Sequence, residues 1–113
     1  MSFENNPSAA IKGIVYNLTM KVEHSIHNEW LQWQKEEHIP DMMASKQFTA
    51  YRFFHLLEQD ETEGIVYVIQ YFASSKDHYK KYIEKFAPVL LRKANDKWGN
   101  HFVVFRTIME VMH

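Results

Sequence analysis

The order and patterning of the predicted strands and helices constrain this chain more than any single residue does. Apolar periodicity predicts four strands and two helices in the order strand, helix, strand, strand, helix, strand. Two helices can cover only one face of a small antiparallel sheet. Because three of the four strands are apolar on both faces, we expect the second face to pack against another sheet, most simply that of a second copy.

The strands differ in how clearly one face is marked. The first, Gly13–Glu23, alternates strictly, and we take its even-numbered apolar face to lie under the helices. Further strands are predicted at Gln47–Gln59, Ile65–Ala73 and His101–Met112. A short acidic turn joins the second to the third, which predicts a hairpin.

The first helix is predicted from Ile26 to His38. Ser25 is a suitable N-cap, and Pro40 limits the helix because the residue before a proline is biased away from helical backbone. Pro40–Ser45 is compatible with one further short helical turn.

The second helix is predicted to begin at Ser74 or Ser75 and to stop at Gly99. Pro88 should kink or restart it. With antiparallel neighbours, this order is the ferredoxin-like α+β fold, βαββαβ, with two helices on one face of a four-stranded antiparallel sheet. We expect that domain over residues 13–113, after a flexible N-terminal arm at residues 1–12.

Composition excludes several classes of function. The 113 residues include no cysteine, so a disulfide, a thiolate metal site and a thiol nucleophile are all excluded. A formal net charge of −1 gives no broad attraction to nucleic acid or to anionic membranes. The chain carries no apolar run of the ~20 residues that span a bilayer and no signal-peptide core, so we expect a cytoplasmic protein.

No motif specifies a chemistry. The chain has seven histidines, but it lacks a metal-binding spacing, a glycine-rich phosphate loop and a serine elbow. The third strand also lacks the basic residue that RNA-binding domains of this element order carry. We therefore expect no metal site, no cofactor and no nucleic-acid partner.

Glu37 is the sharpest anomaly in the sequence. On a helical wheel with Ile26 at 0° and a step of ~100° per residue, Trp30 falls near ~40°, Trp33 near ~340° and Glu37 near ~20°. All three side chains are therefore expected on the apolar side of the helix. A carboxylate in an apolar stripe should have a raised pKa unless a cation pairs with it. Glu37 is thus a candidate acid or base. The alternatives are that the apolar stripe ends before Glu37, or that Arg52 or Arg106 forms a structural ion pair with it.

His38 flanks the same stripe. As a neutral side chain it could move a proton, and as a cation it would suit the end of the helix. The alternative is a capping or surface histidine. Four polar residues also interrupt the apolar strands: Arg52, His55, Gln70 and Arg106. The sequence does not decide which face of the sheet each side chain lies on, because a one-residue slip of strand register moves it to the other face.

The segment WLQWQKEEHIPDMM resembles a known family. It is similar to small bacterial proteins described only as a domain of unknown function within the dimeric α/β-barrel superfamily, and the resemblance covers about residues 13–113. The resemblance implies a ferredoxin-like monomer whose sheet packs on a partner's sheet. Superfamily members include cofactor-independent monooxygenases, haem-degrading enzymes, isomerases and stress-response proteins. Asn17 is the only match to the pattern of the haem-degrading members, and we therefore do not predict haem degradation from the resemblance.

Three hypotheses follow for function. The first is a homodimer that binds a small apolar or aromatic molecule between the first helix and the sheet, with Tyr16, Trp30 and Trp33 as walls and Glu37 and His38 at the mouth. The second is a monooxygenase- or isomerase-like enzyme that uses Glu37 as acid or base. The third is a purely structural dimer whose aromatic stripe is solid core.

Overall fold

Four antiparallel strands form a single sheet in the computed structural model, which describes residues 13–113. The strands are β1 (Ile14–Val22), β2 (Ala50–His55), β3 (Ile65–Ala73) and β4 (Phe102–Glu110). They lie in the order β2-β3-β1-β4. This arrangement confirms the predicted ferredoxin-like α+β fold, while the arm predicted at residues 1–12 lies outside the described residues.

Two long helices pack on one face of this sheet. The first helix, residues 27–44, consists of α1 (His27–Trp33), a π-helical turn and α2 (Ile39–Ala44), and a short 3₁₀ turn precedes it. The second helix, residues 76–98, consists of α3 (Lys76–Lys81), another π-helical turn and α4 (Ala87–Trp98). The two π-helical turns are Gln34–His38 and Tyr82–Phe86.

Strand register decides which side chains face the helices. The even positions of β1 face the helices as predicted and are buried except for the half-buried Leu18, and Tyr16 pairs with Tyr71 of β3. Leu18 pairs with Arg106 of β4, which places Arg106 on the same face. His55 also lies on the helix-covered face, because it pairs with Tyr67.

The opposite face of the sheet carries no helix within residues 13–113 and is largely apolar. Arg52 and Gln70 pair across β2 and β3 on this face, and Gln70 donates a 3.1 Å hydrogen bond to Asn17. Apolar side chains surround this polar strip, and several are exposed: Phe54, Val103, Phe105 and Met109. We call this surface the open face.

Each proline in a helix follows a π-helical turn. In the first turn the Ile39 N–H bonds to the Gln34 carbonyl, and in the second the Ala87 N–H bonds to the Tyr82 carbonyl. Proline cannot donate the usual helical hydrogen bond and its ring crowds the carbonyl one turn back. A wider turn relieves that crowding, so the helix continues past Pro40 and the prediction that it stops there was wrong. The further helical turn expected at Pro40–Ser45 is present, as α2.

Other predicted limits also need correction. β2 is shorter than Gln47–Gln59, since Phe48 turns into the core and Glu58 adopts a left-handed φ of 60°. Ser25 is not the N-cap of the first helix: it lies within the 3₁₀ turn His24–Ile26, and Ile26 occupies the N-cap position of α1. Ser75 does cap the second helix, accepting from the His78 N–H at 3.2 Å.

The predicted C-terminal stop of the second helix is confirmed. Gly99 ends it with a φ of 59°, a left-handed backbone that glycine adopts at little cost. The Gly99 N–H bonds to the Asn95 carbonyl at 2.9 Å, which closes the last turn.

Candidate functional site

A cavity of about 240 Å³ lies between the two helices and the sheet. It sits over β1, β3 and β4, beside the first π-helical turn and α4. Its lining is mostly apolar and consists of Tyr16, Leu18, Met20, Trp33, Gln34, His38, Met42, Ile69, Tyr71, Tyr82, Leu90, Leu91, Ala94, Asn95, Phe102, Val104 and Arg106.

The cavity opens between α4 and the edge strand β4. Leu91 and Asn95 on α4 are exposed, and so are Val104 and Arg106 on β4. Leu18, in the middle of the central strand, is only half-buried, although its neighbours on the same face are buried. The helix layer therefore leaves a gap above Leu18 that is not filled by side chains of residues 13–113.

The first π-helical turn decides which polar groups face the cavity. Its i→i+5 hydrogen bonding adds one residue to the turn relative to an α-helix. Gln34 and His38 line the cavity as a result, and Glu37 is exposed on the other side. The expectation that Glu37 lies in the apolar stripe was wrong, because the uniform ~100° step does not hold through a wider turn.

Glu37 instead borders a separate polar groove on the surface. That groove is lined by Glu29, Gln32 and Glu36 from the same helix, together with Lys97 and Trp98. No salt bridge of Glu37 occurs within residues 13–113.

His38 is held as a neutral side chain in the cavity wall. Its ring stacks on Trp33 with centroids 4.6 Å apart. Burial lowers the pKa of His38 from 6.5 to about 4; Asp41 opposes this shift, and Lys93 adds to it. His38 is therefore uncharged at neutral pH and offers the cavity a hydrogen-bonding group without a charge.

Three tyrosines form a cluster at the sheet side of the cavity. The ring of Tyr16 lies 5.4 Å from that of Tyr82 and 6.5 Å from that of Tyr71. Burial raises the pKa of all three phenols. The cluster therefore presents protonated hydroxyls, which can donate as well as accept hydrogen bonds.

The hydroxyls of this cluster lack strong acceptors among the described residues. Tyr82 donates only to the Met42 sulfur, at 3.0 Å, and a thioether is a weak acceptor. The Tyr71 hydroxyl is fully buried and has no partner within residues 13–113. A buried polar group without a partner costs about 1–3 kcal/mol, so a structure retaining one calls for an explanation.

Gln34 presents a second group of this kind. It is 2% exposed, and its Oε1 atom has no hydrogen-bond partner within residues 13–113. Its Nε2 atom reaches only the Met20 sulfur, at 3.9 Å. Because neither the oxygen nor the nitrogen of this amide makes a strong hydrogen bond, both are available to a polar group that enters the cavity.

Arg106 supplies the positive charge among the lining residues. No salt bridge of Arg106 occurs within residues 13–113. Its guanidinium interacts with Tyr16 and lowers the pKa of that phenol, against the larger effect of burial, and it acts in the same direction on Tyr82. The charge therefore lies close to the tyrosine cluster.

The structure brings together only some of the residues expected at a ligand site. Tyr16, Trp33 and His38 line the cavity. Trp30 does not, since it packs under the other end of the sheet against Tyr67, with ring centroids 5.4 Å apart. Trp30 is a fully buried core residue.

Sequence reasoning missed much of the cavity's polar lining. Gln34, Tyr71, Tyr82, Asn95 and Arg106 were not predicted as site residues. Arg106 did carry a signal, as a charge within an apolar strand, but only the register could assign its face. Tyr71 and Tyr82 resemble ordinary core aromatics, and no pattern of spacing marks their hydroxyls as unpartnered.

Residues 13–113 contain neither a membrane-spanning helix nor a cluster of metal ligands. None of the helices in this range combines the length and apolarity that a bilayer crossing requires. Within the same range, no three His, Asp or Glu side chains are grouped so that they could hold a metal ion.

The fold and cavity define a class of protein: a ferredoxin-like α+β domain with a mostly apolar pocket between its helices and its sheet. Within that class, the chain belongs to the family described as Domain of unknown function (DUF4286), whose model matches residues 13–112. None of the curated proteins matches the sequence.

Solved structures share the fold at low sequence identity. SnoaB, a cofactor-independent oxygenase from Streptomyces nogalater, is 11% identical with a TM-score of 0.65, over 89% of this chain and 95% of SnoaB. An ethyl tert-butyl ether D (EthD) family protein from Bacillus halodurans is 8% identical with a TM-score of 0.68, over 88% and 99%. A dimeric ferredoxin-like protein from an uncultured marine organism is 11% identical with a TM-score of 0.58, over 88% and 95%.

Proposed function

We propose that this protein is a homodimer that binds a small apolar or aromatic molecule in the cavity between its helices and its sheet. The observation that carries the proposal is the cavity itself, with the unpartnered Gln34 Oε1 and Tyr71 hydroxyl among its lining residues. Apolar pockets with a few convergent polar groups are the usual form of a small-molecule site.

The volume limits the size of the ligand. An apolar cavity of about 150 Å³ holds one benzene ring, so 240 Å³ admits a substituted ring or a short branched chain. The open space also argues against the third hypothesis, in which the helix–sheet interface is solid core throughout.

The open face supports the dimer. Phe105 in the edge strand is 66% exposed on this face, with Val103 and Met109 of the same strand also exposed. One solved structure of the same fold is described as a dimeric ferredoxin-like protein. A second copy packed on this face would cover these side chains, and the strip formed by Asn17, Gln70 and Arg52 would specify the geometry of pairing.

Catalysis on the ligand is a weaker proposal. SnoaB is described as a cofactor-independent oxygenase, but the acid or base expected here, Glu37, lies outside the cavity. His38 lies inside it, and a pKa of about 4 makes it a poor general base at neutral pH. Binding without turnover is therefore the function we favour. The absence of cysteine agrees with a cytoplasmic location, which stays a prediction.

Native mass spectrometry of freshly purified, untreated protein tests both parts of the proposal. We expect a dimer, and a defined extra mass on it would identify the ligand. A monomer at micromolar concentration would refute the proposed pairing.

A matched pair of variants on α4 then tests the location. Leu91 lines the cavity mouth and is 46% exposed, while Val89 is 59% exposed and does not line the cavity. Leu91→Trp should block binding of a small aromatic probe such as benzamide, and Val89→Trp should not. Equal binding by both variants would place the ligand elsewhere.

A further inference from the structure

The polar side chains around the cavity can all donate a hydrogen bond, and most can also accept one; Arg106 differs, because its guanidinium is charged and can only donate. The hydroxyls of Tyr16, Tyr71 and Tyr82, the guanidinium of Arg106 and the amide of Asn95 all belong to lining residues. Within residues 13–113 no aspartate or glutamate lines the cavity. A bound molecule that supplied acceptor oxygens would therefore satisfy groups that the protein leaves weakly engaged.

The donors are concentrated on neighbouring positions of the sheet. Leu18 pairs with Arg106, and Tyr16, two residues earlier on the same face of β1, pairs with Ile108. Tyr82 approaches from the second helix, with its ring 5.4 Å from that of Tyr16. Arg106 thus lies at the mouth with two phenols beside it, and the apolar part of the cavity continues past them.

We propose that the cavity takes a small monoanionic acid, whose carboxylate is held by Arg106 with Tyr16 and Tyr82 and whose apolar or aromatic body fills the space above Leu18. This inference rests on the proposed function and adds a charge and an orientation to the ligand. Arg106 has no carboxylate partner within residues 13–113, and a guanidinium binds a carboxylate by paired, charge-assisted hydrogen bonds. One unpaired positive charge on the lining selects one negative charge on the ligand.

A pair of probes that differ only in charge tests this proposal. Benzoate and benzamide have nearly the same size and shape, and both fit a cavity larger than one ring. Calorimetric titration of the full chain should show that benzoate binds more tightly than benzamide. In Arg106→Gln, benzoate affinity should fall by about 10- to 100-fold while benzamide affinity changes by less than about twofold.

Arg92→Gln is the matched control, because Arg92 is an exposed arginine on α4 that does not line the cavity. It removes the same charge and should leave benzoate affinity nearly unchanged. An equal loss in both variants would show that general electrostatic attraction, and not an anchoring contact, favours the anion. Circular dichroism of each variant checks that the fold is retained.

The outcomes separate this inference from the proposed function. If benzamide binds, Leu91→Trp blocks it and benzoate binds no better, the cavity is a ligand site but Arg106 is not an acid anchor. If neither probe binds at millimolar concentration, both proposals are overturned. Tighter binding of benzoate that depends on Arg106 supports both.

Discussion

Lowering the pH should destabilise this protein through His38. Burial lowers the pKa of His38 from 6.5 to about 4 in the folded state, so the unfolded chain takes up the proton first. Stability linked to His38 is therefore fully present above pH 6.5 and is lost as the pH falls towards 4. At pH 4.5 this loss amounts to roughly 2.5 kcal/mol, a large share of the 5–15 kcal/mol typical of a domain.

Urea unfolding at about pH 7.5 and pH 4.5 measures this loss, with His38→Gln as the control. Glutamine keeps a polar side chain on the cavity wall but does not titrate. The wild type should lose roughly 2.5 kcal/mol more than the variant between the two pH values. Equal losses would refute the reasoning, and so would an NMR titration in which the ring of His38 has a pKa near 6.5.

Three further predictions concern the open face, the tyrosine cluster and the core. Phe105→Glu should convert the proposed dimer to monomer in sedimentation velocity, whereas Val89→Glu, on the helical side, should not; a dimeric Phe105→Glu would contradict pairing through the open face. Tyr71→Phe should leave the ligand-free protein as stable as the wild type, or up to about 1–2 kcal/mol more stable in urea unfolding, because it removes a buried hydroxyl without a partner; a clear loss of stability would mean that the hydroxyl is satisfied. Trp30→Ala should cost about 3–5 kcal/mol in the same assay, because it empties a fully buried site; a cost below about 1 kcal/mol would show that Trp30 is not the core residue described here.

The architecture could be predicted from the sequence because it rests on periodicity. The alternation of β1 assigned its buried face correctly, and Gly99 and Ser75 marked the ends of the second helix. These signals are local, and packing against the sheet reinforces them. The limits of β2 were less well predicted because Phe48, although apolar and next to the strand, turns into the core.

The candidate site was harder to predict because it depends on the rotational phase of the first helix and on the pairing register of the strands. A single extra residue in the first π-helical turn exchanges Glu37 for His38 on the cavity wall, and no residue type announces such a turn. Pro40 was the available clue, and it was interpreted as an end to the helix. Arg106 could be recognised as unusual in its strand, but its face required the pairing of Leu18 with Arg106.

The first π-helical turn also has an evolutionary consequence. Loss of one codon between positions 34 and 38 would restore ordinary helical geometry while leaving the fold and both flanking helical segments intact. Because the wider turn accommodates one additional residue, such a deletion would leave the helical segments on either side of it in their present orientations. If the lost codon is that of His38, Glu37 becomes the neighbour of Ile39, and a carboxylate replaces a neutral imidazole on the cavity wall in one genetic event. Descendants of one ancestral chain would then acquire different ligand preferences with no other change inside the cavity.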